Sequence, residues 1–322
     1  EYILCERASF NCPSTLPPWF WRLGDGALTS MSDSEAWTVK RLLEWTTDYF
    51  SKTGSSSSRL DAEILLAHVL DWQRINLYTG FDFQPNSDER AQYRSFIKHR
   101  AAGTPVAHLI GSKEFYSMDF LVNGDVLIPR PETEFAVVRS LDLMKTFEGN
   151  SEIQCLDLCT GSGAIGIALA AQEPRLKLTA TDISRPALEV AKINVEKHNL
   201  SQRIRLIESD LFEALSPNDC FHVIVSNPPY IGTREKASLS REVVDFEPNI
   251  ALFSGEDGRN CSLDILRGAP TYLVPGGWLV MESSPFIIDQ LAAEIEQSDE
   301  YCSPAIERDL AGHKRILSAQ KA

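Results

Sequence analysis

The chain has 322 residues, 43% of them hydrophobic, which is enough to fill a core and too long for one average domain. Its formal net charge of −14 argues against a long DNA or RNA partner, which selects a basic face, and no apolar run reaches the roughly 18 residues of a membrane span. The seven cysteines (Cys5, Cys12, Cys155, Cys159, Cys220, Cys261 and Cys302) form no CxxC pair and no cysteine–histidine cluster at zinc spacing. They read as small apolar side chains in a reducing cytoplasm, with no metal expected.

Residues 1–30 hold Pro17, Pro18, Trp19 and Trp21 without periodicity and lack the plan of a secretory signal. They read as a disordered or non-native extension, with Met31 as the natural start. Asp33 or Ser34 is the expected cap of a helix over 35–52, where Val39, Leu42, Leu43 and Tyr49 recur at helical spacing. A serine-rich loop at 54–58 precedes a second helix near 60–70, and a third covers 87–101. These make a small helical domain over 31–105. Two strands, near 107–110 and 114–122 about Gly111-Ser112, are expected to form a hairpin, so that 106–130 links the halves.

From 131 to the end the rhythm changes. A helix near 132–146 leads into strand-like stretches at 153–157, 176–181, 203–208, 222–225 and 277–282, which alternate with helical ones at 163–171, 185–199, 260–273 and 286–296. That alternation predicts an α/β fold with a parallel sheet covered on both faces.

The first of these strands runs into a loop with Gly161, Gly163 and Gly166 at GxGxxG spacing. Glycines at a strand's carboxyl end permit a sharp turn and close approach of a ligand, although a tight turn without a ligand uses the same spacing. The second strand ends at Asp182, which suits two ribose hydroxyls, a helix cap, or both. The third ends at Asp210, placed to accept from an adenine amine, with Leu211 and Phe212 as walls for the ring. Three successive strand ends thus offer polar groups to one ligand.

After the fourth strand comes Ser226-Asn227-Pro228-Pro229-Tyr230, the most specific signal in the chain. Two prolines stiffen the backbone and remove two N–H donors, leaving carbonyl acceptors and the Asn227 side chain in a rigid frame. Tyr230 adds a flat aromatic face. The set suits a planar NH2 group that donates to the Asn227 oxygen and the Pro228 carbonyl while packing on the ring.

Together these segments resemble amino-methyltransferases that act on adenine, cytosine or glutamine nitrogen. More narrowly, the chain is similar to the HemK/PrmC family, which methylates the glutamine of the GGQ motif in class 1 peptide chain release factors. The resemblance spans about residues 35–318 and rests on IPRPET (Ile128 to Thr133), DLCTGSGAIGIALA (Asp157 to Ala170), SNPPYI (Ser226 to Ile231), the segment Phe246 to Pro248, and DLAGHKR (Asp309 to Arg315). It implies a Rossmann-like class I methyltransferase sheet over 131–322, with the small N-terminal helical domain recognising substrate and the β-hairpin linking them. S-adenosyl-L-methionine is the implied cofactor and S-adenosyl-L-homocysteine the product. Asp157, Cys159, Thr160, Gly161, Ser162, Gly163, Asp182, Ile183, Asp210, Leu211 and Asn227 are the cofactor-binding positions it implies. Asn227, Pro228, Pro229 and Tyr230 carry the chemistry, and Arg130, Glu132, Phe246 and Pro248 meet the substrate. The implied partner is a release factor, with no direct nucleic acid and no membrane, for a monomeric cytoplasmic enzyme.

The chain departs from the family at Cys159, where glycine is usual, and at Ser284, where the family places glycine two residues after the acid that is Glu282 here. Three rival readings remain: an amino-methyltransferase for adenine in nucleic acid or for a ribosomal-protein glutamine, a nicotinamide-dependent dehydrogenase, and a catalytically dead binding module. The dehydrogenase gives no reason for the Asn-Pro-Pro-Tyr loop.

Overall fold

The computed structural model describes residues 36–147, 149 and 151–322. The expected extension over 1–30, Met31 and the caps Asp33 and Ser34 lie outside the described residues, as do Cys5 and Cys12. The first described helix, α1 (Val39–Lys52), is capped by Thr38, whose hydroxyl accepts from the Arg41 N–H at 3.4 Å. Val39, Leu42, Leu43, Thr46 and Phe50 are its buried stripe. They pack against Leu65 and Leu66 of α2 (Ser58–Val69) and Tyr93 and Ile97 of α4 (Ser87–Ala101). The start of α4 is fixed by a reciprocal cap: Asn86 Oδ1 accepts from the N–H of Asp88 and Glu89, and Glu89 Oε2 accepts from the N–H of Asn86. A short helix, α3 (Arg74–Thr79), lies between α2 and α4.

The strand expected at 107–110 is a helix, α5 (Val106–Ile110), closed by Gly111 in the left-handed conformation at φ 71°. Five residues are too few for period to separate helix from strand, and the left-handed glycine decides. The hairpin is therefore displaced along the chain: β1 (Ser112–Phe115) pairs antiparallel with β2 (Met118–Leu121). Its two-residue turn places both Tyr116 and Ser117 at positive φ, a geometry usually left to glycine or asparagine. Phe115 and Phe120 meet edge to face and are buried in the main core.

A 3-10 turn at Pro131–Thr133 leads into α6 (Glu134–Met144). A seven-stranded sheet follows, in the order β5-β4-β3-β6-β7-β9-β8. Strands β3 (Ile153–Leu158), β4 (Leu176–Asp182), β5 (Ile204–Glu208), β6 (Phe221–Ser226) and β7 (Leu273–Glu282) are parallel, as expected. The last two, β8 (Tyr301–Arg308) and β9 (Lys314–Lys321), were not expected and run antiparallel to their neighbours.

Side chains alternate across the sheet. Cys155, Val223 and Val280 face α6 and α7 (Ala164–Gln172). Leu156, Ile224 and Leu279 face α11 (Asn260–Tyr272) and α12 (Ile288–Glu296). Strand order reverses between β3 and β6, and in open α/β sheets that switch point opens a crevice at the carboxyl ends.

One buried side chain on α8 (Arg185–Lys197) ties the hairpin to this edge. Asn194 accepts from the Leu121 N–H at 2.7 Å and donates to the Leu121 and Ser162 carbonyls at 3.0 and 2.8 Å.

Candidate active site

The carboxyl ends of β3, β4, β5 and β6 enclose a cavity of about 370 Å³. A larger, more open depression of about 670 Å³ lies at the opposite end of the sheet, around Gln154, Lys177 and Arg205. It is remote from every motif singled out in the sequence.

The floor of the cavity is the loop after β3. Cys159, Gly161 and Gly163 all take positive φ, at 58°, 56° and 81°. The usual glycine is thus replaced by a cysteine that keeps the left-handed backbone, at a local cost of about 1 kcal/mol. Gly166 is required for a different reason: a Cβ there would strike Leu178 and stand 2.9 Å from Asp157 Oδ2. That same oxygen accepts from the Gly166 N–H at 3.1 Å and the Thr160 hydroxyl at 2.7 Å.

Asp157 is fully buried, its Oδ1 has no partner, and it does not line the cavity. Burial pushes its carboxyl up to about 7; the Thr160 and Gly166 bonds oppose the shift and the charge of Asp182 adds to it. A folded-state value above the unfolded one stabilises the protein at low pH, and that contribution is lost as pH rises from about 4 through about 7. Thermal stability is therefore expected to fall between about pH 4 and pH 7, with Asp157→Asn making the slope shallower. An equal slope in calorimetric melts of the variant would exclude Asp157 as its source.

Asp182, at the end of β4, accepts from the Gly161 N–H through Oδ2 at 2.8 Å and from the Ser184 N–H through Oδ1 at 2.9 Å. The helix cap is provided separately by Ser184, whose hydroxyl accepts from the Ala187 N–H. Burial raises the Asp182 carboxyl, and its backbone donors oppose the rise. Beyond it, Ile183 is exposed and lines the cavity, as do exposed Asp210 and half-buried Leu211, the latter at φ 46°. Phe212 does not: its ring stacks on Tyr272 at 5.2 Å and fills the space left by Gly268. The expectation that it walls the ligand is corrected; it belongs to the core against α11.

At the end of β6, Asn227 and Pro229 line the cavity, whereas Pro228 and Tyr230 do not. Asn227 Nδ2 donates to Thr133 Oγ1 at 3.2 Å, which sets the orientation of the amide. Its Oδ1 is buried without a partner. Tyr230 donates its hydroxyl to Glu282 Oε1 at 3.0 Å. The tyrosine backbone is pinned by Gly258, where a Cβ would collide with the Tyr230 carbonyl.

The remaining sequence candidates fall outside the cavity. Arg130 pairs with Glu247, the buried acid between Phe246 and Pro248, and Glu247 also accepts from the Ile128 N–H at 3.2 Å. Arg130 thus fastens the segment before α6 to the one between α9 (Arg241–Phe246) and the short α10 (Asn249–Leu252). Phe246 packs at the helical unit, 3.3 Å from where a Cβ on Gly103 would sit. Glu132 and Pro248 are half-buried and do not line the cavity. Ser284 keeps a negative φ and accepts from the Phe286 N–H through its hydroxyl, so the turn after β7 needs no glycine.

Several lining residues were not singled out in the sequence. Val126 and Leu127 come from the segment after the hairpin, and Phe253, Asn260, Cys261 and Asp264 from beyond the Asn-Pro-Pro-Tyr loop. A parallel bridge from Ile231 to Phe253 brings the second group in. Among the described residues, four carboxylates (Asp125, Asp182, Asp210 and Asp264) and no lysine, arginine or histidine line the cavity. Such a lining favours a cationic ligand and disfavours a pyrophosphate.

Residues 41–111 match the PrmC N-terminal domain and residues 139–246 the Methyltransferase small domain. A release factor glutamine methyltransferase of Rhodopirellula baltica is 47% identical over 296 residues, covering 92% of this chain and all of the relative. One from Leptospira interrogans is 39% identical over 287 residues, covering 87% of this chain and 97% of that one. The catalytic domain of hMettl16, solved with an RNA hairpin, shares the fold at a TM-score of 0.51 and 17% identity, over 70% of this chain and 81% of that one.

Proposed function

This chain belongs to the release factor glutamine methyltransferases, and we propose that its cavity holds S-adenosylmethionine with the Asn-Pro-Pro-Tyr loop gripping the substrate amide beside it. The enzyme methylates the side-chain nitrogen of a release factor glutamine. The observation that carries the site assignment is Asn227 Oδ1, a buried acceptor with no partner at the edge of a cavity lined by carboxylates. An unsatisfied buried acceptor costs about 1–3 kcal/mol, which a donor from a ligand recovers.

The acidic lining and the strand-end acceptors fit a cationic nucleoside and support this cofactor over a dinucleotide. When bound, the cofactor supplies an electrophilic methyl group on sulfur. The protein's own part is alignment. Asn227 Oδ1 and the Pro228 carbonyl accept the two amide hydrogens, drawing electron density toward nitrogen and stabilising the positive charge that develops there. Thr133 keeps the Asn227 oxygen, rather than its NH2, turned to the substrate. Asp182 takes the ribose hydroxyls, and Asp210 and Leu211 receive the base. Arg130 shapes the site indirectly, through Glu247.

No helix among the described residues is long and apolar enough to cross a membrane. The reading is completed by a cytoplasmic monomer whose partner is the release factor protein itself. Mass spectrometry of a purified release factor incubated with enzyme and cofactor tests it. One added methyl group on the GGQ glutamine is expected; an unmodified glutamine beside a methylated ribosomal protein or adenine would overturn it.

A further inference from the structure

Glu282 ends β7 with 1% of its surface exposed. A carboxyl in such a place costs several kcal/mol unless its partners offset the loss of water, and an apolar residue of similar size would be cheaper. Among the described residues the hydroxyl of Tyr230 donates to its Oε1, the Thr133 hydroxyl lies near enough to act on the carboxyl as well, and its other oxygen, Oε2, makes no hydrogen bond. Arg315 lies near enough to act on both Glu282 and Tyr230 electrostatically, but its own bond goes to Asp309 at 3.0 Å. The surrounding backbone is fixed by the strand: Glu282 is in register with Ile316, and the Ser283 N–H donates to the Arg315 carbonyl at 2.8 Å.

We infer that Glu282 is a positioning residue for methyl transfer, anchoring the Tyr230 ring through its hydroxyl so that the flat amide meets one fixed aromatic face. The inference rests on the Asn-Pro-Pro-Tyr loop being the amide site. The prolines and Gly258 hold the backbone of the loop, but neither restrains rotation of the tyrosine side chain. The bond to Glu282 does. Swinging the ring away would strip a buried carboxyl of its donor, roughly a 5- to 150-fold bias toward one orientation. A phenylalanine at 230 would keep the apolar packing and lose the bias.

A kinetic cycle on the full chain tests this. Glu282→Met fills the volume and removes the acceptor; Glu282→Gln keeps an acceptor oxygen. The expected result is a fall of about tenfold in kcat for Glu282→Met and for Tyr230→Phe, with cofactor affinity and the KM for release factor nearly unchanged. Glu282→Gln should restore most of kcat, and the double variant Glu282→Met/Tyr230→Phe should be no slower than Tyr230→Phe. A wild-type kcat in Glu282→Met, or losses that multiply in the double variant, would overturn the inference.

A second readout does not depend on substrate. The 13Cζ resonance of Tyr230 should move in Glu282→Met and stay near its place in Glu282→Gln; no movement in Glu282→Met also overturns the inference. Were the wild-type enzyme to leave the glutamine untouched while that resonance moved, the amide-site reading would fail and the anchoring bond would stand.

Discussion

Asn227→Ala is expected to lower turnover by about 10²-fold or more while leaving affinity for the cofactor within a few-fold of wild type. The split follows from what the side chain does. Its Nδ2 is occupied by Thr133 at 3.2 Å, so the amide cannot turn over without breaking that bond, and the oxygen is left facing ligand space with no protein partner. Alanine removes the acceptor, and in the proposed complex one amide hydrogen of the substrate then points at nothing. The loss falls on the transition state more than on the bound substrate, because the hydrogen bond strengthens as charge develops on nitrogen. The cofactor's main contacts, by contrast, come from the ends of β3, β4 and β5. Single-turnover rates with a release factor, set beside calorimetric binding of S-adenosylmethionine, measure the two effects separately. Turnover near wild type in this variant would remove Asn227 from the chemistry. Thr133→Val should reproduce part of the defect, since it frees the amide to present its NH2 group instead.

The partnership with Thr133 could not be read from the sequence, and the reason is general to this fold. Segments whose signal is local were legible. Helix α4 was expected over 87–101 and spans Ser87–Ala101. The parallel strands showed through apolar runs such as Phe221 to Val225, buried on both faces. The loop after β3 and Asp182 were also legible, because glycine spacing and a strand-end acid are properties of contiguous residues. Contacts that span the chain were not. Thr133 meets Asn227 across 94 positions, and Arg130 meets Glu247 across 117. Phe246 and Pro248 were singled out on either side of that glutamate, whose ion pair shows only once the two segments are folded together. Strands β8 and β9 escaped for a different reason. They form one edge of the sheet, β8 is interrupted by a bulge at Cys302 to Ala305 and is largely exposed, and only Ile316 to Ala319 in β9 are continuously buried. Helix α5 is too short for its period to separate helix from strand, and the Tyr116-Ser117 turn takes a positive-φ geometry that its residue types do not signal.

Asp182→Ala is expected to produce the opposite kinetic pattern: cofactor affinity falls by about 10²-fold, while turnover at saturating cofactor falls much less. Two backbone donors lose their acceptor at once, Gly161 at 2.8 Å and Ser184 at 2.9 Å, and the proposed bonds to the ribose hydroxyls go with them. Loss of a single charge-assisted bond costs about 1.5–3 kcal/mol, so a 10²-fold change is the expected scale even if water replaces part of what is lost. The loop is poorly placed to compensate, because Cys159, Gly161 and Gly163 already sit in left-handed backbone that the Asp182 bond helps to hold. Asparagine should rescue little: one of its two positions would present an NH2 group to a backbone N–H. The same geometry gives a pH dependence. Burial raises the Asp182 carboxyl, and protonation removes an acceptor site, so affinity in the wild-type protein should weaken as pH is lowered and should be nearly flat in the alanine variant. Isothermal calorimetry across that range measures both effects. An alanine variant that binds within threefold of wild type would show that the ribose is held elsewhere. Coming together with a large turnover defect in Asn227→Ala, it would leave the amide clamp intact and require a different account of how the cofactor is seated.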